Sequence, residues 1–175
     1  MKIAFNLNLF RNIEEKIQSI VENNKDYFNN KTIDIKSINP YNLQNSLNMN
    51  DDEFLEFIND FYIDIFGFSK EKEDINILNK LKEQGHEIGI FFFEPEKIKN
   101  ATLYYISKYN VAFDWILTLN NNFIDEYFDY IITDNVSDYE NSFSRDKIIL
   151  LETKFNQDFK INKKIKNVRE ITDLL

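Results

Sequence analysis

Five strand-sized apolar runs, separated by segments with the 3.6-residue period of a helix, predict an α/β protein built on a parallel sheet. The intervening segments are long enough to carry the chain back over the sheet, as a parallel connection requires. A chain of 175 residues, 43% of them hydrophobic, has enough apolar surface for one continuous core. The glycines are sparse, three in all, and Gly67 and Gly85 fall where helices are expected to end.

Lys2 to Leu7 is mostly apolar, the pattern of a strand buried on both faces, so it belongs at the centre of the sheet. Residues 12–28 put Ile13, Ile17, Ile20 and Val21 on one helical face, with Phe28 at the end. Residues 51–66 do the same with Phe54, Leu55, Ile58, Phe61, Tyr62 and Ile65. Asp51 and Asp52 are expected as N-cap and first-turn acids of this second helix, and Gly67 as its left-handed C-cap. Between the two lies a polar, Asn-rich connector from about Asn29 to Asn50, containing Pro40. A helix over 70–84 carries Ile75, Ile77, Leu78 and Leu81, with Glu71, Glu73 and Asp74 as a solvated first turn favoured by the helix dipole. Gly85 closes it, His86 sits in the turn, and the core strand Ile88 to Phe93 follows. Pro95 fits the first turn of a helix running to about Tyr109. Strands at Trp115–Leu119, Asp129–Thr133 and Ile148–Leu151, then a helix over Val168–Leu175, complete the alternation. The two early helices precede the second strand with no strand of their own. They read as a helical cap, residues 11–68, inserted into a sheet-forming core of residues 1–10 and 69–175.

Charge and composition exclude several functions. Lys and Arg total 21 against 30 Asp and Glu, a net charge of −9 that repels a nucleic-acid backbone. With no Cys and one His there is no disulfide, thiolate metal site, cysteine nucleophile or His-rich cluster. Gly67, Gly85 and Gly89 cannot compose a P-loop or a dinucleotide fingerprint. No apolar run approaches the roughly 20 residues that span a bilayer. The start, MKIAFNLNLFR, lacks the pattern of a secretion signal, so the expected location is cytoplasmic.

In a parallel sheet the functional crevice lies at the carboxyl ends of the strands, which here expose Asn6 and Asn8, residues 92–94, 119–122 and 133–138. Four stretches carry a resemblance there: MKIAFNLNLF, ILNKLKEQGHEIGIFFFEPEK, FDYIITDN, and LLETKFNQDF with NVREITDLL. Together they resemble the haloacid-dehalogenase-like phosphohydrolases, most closely the small 5'(3')-deoxyribonucleotidase-like branch with a helical cap. The resemblance spans nearly the whole chain. It implies a three-layer, Rossmann-like parallel sheet flanked by helices, with a small helical cap inserted after the first strand. It also implies that two Asp would stand at Asn6 and Asn8, a Thr or Ser at Phe92 and an Arg at Glu94, before Pro95. In the fourth motif, normally an acidic pair, Thr133 and Asp134 keep one acid. Phe155 and Asn156 are similar to the aromatic-Asn pair after the closing strand.

The chemistry implied by this resemblance needs a carboxylate that attacks phosphorus, a second that protonates the leaving oxygen, carboxylates that hold Mg²⁺, and a Lys. Asn6 is a neutral amide, and Asn8 cannot deliver a proton as a carboxylic acid does. Phe92 has no hydroxyl, Glu94 would repel a phosphate, and between Lys108 and Lys147 the only cation is Arg145. Losing a nucleophile costs on the order of 10⁴ to 10⁶ in rate, about 5 to 8 kcal/mol of barrier. The expectation is therefore a pseudoenzyme with no catalytic residue. It would act as a binding, regulatory or assembly module, its partner a protein or a second copy of the chain. The alternatives are a residual Mg²⁺-dependent phosphohydrolase using Asp134 and Asp138, and a sensor that binds a phosphate ligand without hydrolysing it.

Other residues admit two readings. Asp134 and Asp138 have the spacing of a commoner fourth-motif variant and could hold a weakly bound Mg²⁺; more plainly, Asp134 ends a strand and Asp138 caps or solvates the next helix. Phe91 to Phe93 read as core, with Phe92 filling the former phosphate position. Phe57 and Phe66 read as cap packing, or as an apolar surface for a partner.

Overall fold

The computed structural model describes residues 1–28, 31–92, 98–118, 121–141 and 143–174. A six-stranded parallel sheet flanked by helices has the order β3-β2-β1-β4-β5-β6, a Rossmann-like α/β arrangement. Its strands are β1 (Lys2–Asn6), β2 (Glu87–Phe92), β3 (Trp115–Thr118), β4 (Tyr130–Thr133), β5 (Ile148–Leu151) and β6 (Lys164–Ile165). As its mostly apolar pattern predicts, β1 is central: Phe5 lies in register with Ile90 of β2 on one side and Ile132 of β4 on the other. The chain winds outward from β1 to β2 and β3, then returns to the other side of β1 for β4, β5 and β6. The point of reversal, between β1 and β4, is where such sheets open a crevice. Strand β6 was not expected, since two residues are too short to show a period.

By contacts the chain divides into two compact units, Met1–Arg11 with Glu71–Pro95 and Ile106–Leu175, and Asn12–Lys70 with Glu96–Tyr105. The first holds the sheet. One of its clusters packs Ala4, Phe91, Ile124, Phe128, Ile131, Phe143 and Ile148 together. Gly89 is required by this packing, because a Cβ there would overlap the Phe128 ring.

The second unit contains α1 (Ile13–Asn23), α2 (Leu43–Ser46) and α3 (Asp51–Tyr62). Its core gathers Ile17, Ile20, Phe28, Leu47, Phe57 and Ile65. Phe57 is fully buried, its ring centroid 5.9 Å from Phe28 and 5.3 Å from Phe61, so it is core of this unit and not partner surface.

Several local expectations are corrected. Helix α1 stops at Asn23 instead of reaching Phe28: Asn24 leaves the helical conformation at φ −124°, ψ 45°, and the side-chain amides of Asn23 and Asn24 fold back onto Ser19 O and Ile20 O, each at 2.8 Å. The N-cap of α3 is Asn50, one residue before the acids: Asn50 Oδ1 accepts from Glu53 N at 3.0 Å and Asn50 N donates to Glu53 Oε2 at 2.9 Å. Gly67 closes a π-helical turn, Ile63–Gly67, with no left-handed backbone; what it permits is close approach, since a Cβ would lie 3.3 Å from Ala101 O. Gly85 does adopt the left-handed conformation, φ 85°, after α4 (Asn76–Glu83). That helix starts six residues later than expected. Glu71 accepts from Ile75 N at 2.8 Å and Asp74 from Asn76 N at 3.1 Å, so these acids form the lead-in to the helix instead of its first turn. The helix after β2 is α5 (Lys99–Lys108). Two short helices escape the 3.6-residue reading, α6 (Asn121–Tyr127) and α7 (Val136–Asn141), and the chain closes with α8 (Ile171–Leu174) after a 3₁₀ turn.

Candidate functional site

At the reversal point β1 and β4 end side by side, and Asn6, Thr133, Asp134 and Asp138 meet there. Asn6 is the last residue of β1 and caps the 3₁₀ turn Leu7–Leu9, its Oδ1 accepting from Asn8 N at 3.0 Å. That bond turns the Nδ2 group inward, where it donates to Asp138 Oδ2 at 3.1 Å and lies 3.5 Å from Thr133 Oγ1. Thr133, last residue of β4, donates its hydroxyl to the same Asp138 oxygen at 2.6 Å. Asn135 Nδ2 reaches Asp138 Oδ1 at 3.2 Å. Asp138 is thus held on both oxygens from the first turn of α7. It is 3% exposed, which corrects the reading of a solvated helix start. Burial pushes its carboxyl above the usual carboxylate range, and the nearby Asp134 charge adds to this, against the hydrogen bonds from Thr133 and Asn6.

Asp134 follows β4 and its side chain is wholly buried. Lys72 Nζ lies 3.1 Å from Asp134 Oδ2, while Oδ1 has no hydrogen-bond partner. Lys72 thus sets an ammonium beside this acid, from a part of the chain that motif spacing did not reveal. The segment before α4 runs beside the exit of β1: Lys72 N donates to Phe10 O at 2.8 Å, and Arg11 and Glu71 form an antiparallel bridge. Arg11 is 1% exposed and its guanidinium donates to Asn8 Oδ1. Neither Lys72 nor Arg11 was singled out from sequence. The available signal was an Arg closing the mostly apolar run LNLFR.

Asn156 supports the site from below, donating to Asp134 O at 2.9 Å and Leu151 O at 2.8 Å and accepting from Thr153 N at 2.7 Å. Phe92 is buried at the end of β2 and brings hydrocarbon where a hydroxyl was sought. Glu94 lies outside the described residues.

No family model matches the sequence, and no curated protein matches it. The solved structures do offer likenesses. A phosphoserine phosphohydrolase-like protein from Francisella tularensis superposes with a TM-score of 0.55 at 17% identity, covering 100% of both chains. YfnB of Bacillus subtilis, a HAD-hydrolase whose structure holds magnesium, gives 0.59 at 12% identity over 99% of this chain and 97% of its own. The fold is that of the haloacid-dehalogenase-like hydrolases. A match to the Pnkp1/Rnl/Hen1 complex, 15% identical over 44% of this chain and 33% of that one, has a TM-score of 0.34 and bears no weight.

The haloacid-dehalogenase-like fold raises the question of Mg²⁺, which takes about six oxygen ligands in near-octahedral array. The residues at this site do not fit it. Asp138 has both oxygens engaged by donors, Asn6 turns an NH₂ group toward the acids, and Lys72 holds one oxygen of Asp134. Among the described residues no three His, Asp or Glu side chains gather in a way that could hold a metal. No described helix is long and apolar enough to cross a membrane.

Proposed function

We propose that this chain is a haloacid-dehalogenase-like protein that does not hydrolyse phosphate esters and serves as a binding, regulatory or assembly module. The observation that carries this is the state of Asn6. Its amide stands at the end of the central strand and is spent on Asn8 N and Asp138, so the position of the expected nucleophile is a structural cross-tie. A neutral amide has no means to attack phosphorus, and among the described residues the two acids beside it are already engaged: Asp138 accepts hydrogen bonds on both oxygens and Asp134 is paired with Lys72 through one of its own. The quoted sequence stretches support placing it beside the 5'(3')-deoxyribonucleotidase-like branch. Leu55 and Ile63, 61% and 48% exposed, give the second unit apolar surface suited to a protein partner or a second copy.

The test is release of inorganic phosphate from deoxynucleoside monophosphates and a generic aryl phosphate with Mg²⁺, beside the Asp134→Ala variant. The expected result is background release from both proteins. Turnover by the unmodified protein that disappears in the variant would establish an enzyme instead.

A further inference from the structure

Asp134 is a fully buried carboxylate with one oxygen unpartnered, and a carboxylate in that setting needs a cation close by. In a metal site the cation would be a divalent ion drawn from solution. Here it is Lys72 Nζ, 3.1 Å from Oδ2. The lysine is delivered there by its own backbone, tied to Phe10 O, and by the neighbouring Arg11–Glu71 bridge. An ammonium asks for no octahedral shell, so it suits an acid whose neighbour, Asp138, already accepts hydrogen bonds on both oxygens from Thr133, Asn6 and Asn135.

We propose that the Lys72 ammonium is a built-in substitute for a divalent cation, neutralising Asp134 permanently and keeping metal out of the Asp134–Asp138 pair. The site is then metal-free by construction. Removing the ammonium leaves both oxygens of Asp134 without a partner and opens a place for a divalent ion. The inference rests on the reading of the site as non-catalytic. Metal uptake and phosphate release are measured separately, so each statement can fail while the other stands.

The experiment measures Tm with EDTA, Mg²⁺ or Mn²⁺ for the unmodified protein, Lys72→Met, and Lys72→Met combined with Asp134→Asn. The unmodified protein is expected to melt at one temperature in all three solutions. Lys72→Met is expected to melt lower in EDTA and to regain about 2–4 °C with saturating Mn²⁺ or Mg²⁺, a gain that the added Asp134→Asn abolishes. A metal-dependent rise in the unmodified protein that Asp134→Asn removes would overturn the proposal, as would a folded Lys72→Met indifferent to metal. Should Lys72→Met not fold, the unmodified protein decides the matter: indifference to metal supports the proposal and a response that depends on Asp134 refutes it.

Discussion

Asn6 uses both halves of its amide, accepting from Asn8 N and donating to Asp138, and an acid in its place could do only the first. Asn6→Asp would set a second carboxylate at hydrogen-bond distance from Asp138, whose carboxyl burial already pushes up. The variant is expected to lose about 1–3 kcal/mol at pH 8 and less at pH 5, where the two acids can share a proton, as read by urea denaturation at both values. Asp114 shows the opposite shift. The Ile88 N–H, 2.8 Å away, and then Lys82 hold its carboxyl below the usual range. A folded value below the unfolded one gives stability that is complete above the ordinary carboxylate value and is lost as pH falls through the folded one. Asp114→Asn should therefore flatten the acid limb of the Tm profile below about pH 4. The change should stay under about 1 kcal/mol, because the side chain is more than a third exposed and solvent screens it. Asn6 and Asp134 were legible as site positions because strand ends announce themselves in sequence. Lys72 and Arg11 were not, since their approach depends on a non-local bridge between residues 11 and 71.

Helix α3 begins one residue earlier than its acids suggest because Asn50 and Glu53 cap each other reciprocally. Asn50→Ala is expected to cost about 1 kcal/mol, measured by thermal or urea denaturation. In β2 the glycine at position 89 makes room for the Phe128 ring from the end of α6. Gly89→Ala should destabilise by about 1–3 kcal/mol through overpacking. A double-mutant cycle with Phe128→Leu should recover part of that loss, and strict additivity would refute the contact as its cause. Amphipathic helices were readable from their period, and the mostly apolar strands from their shortness and composition. The six- and seven-residue helices and the two-residue β6 were not, because so few residues define no face.

A net charge of −9 on 175 residues means that the folded protein works against its own repulsion. Raising NaCl from about 0.05 M to about 0.5 M shortens the screening length several-fold, so Tm should rise over that range. A fall would mean that attractive pairs such as Lys70–Glu15 and Lys31–Glu53 outweigh the repulsion. The sheet order places β1 between strands that follow it by some 85 and 130 residues, so the site at its end exists only once these distant pairings have formed.

The sequence by itself determined the parallel α/β sheet, the central place of its first strand and the absence of carboxylates at positions 6 and 8, since burial pattern and residue chemistry are local properties. Only the tertiary structure decided how the remaining polar groups are satisfied. It turned the Asn6 amide inward, gave Asp138 donors on both oxygens and brought Lys72 to Asp134. The physical reason is that a buried charge takes whichever partner the fold brings within reach, and such partners leave no fixed spacing in the chain.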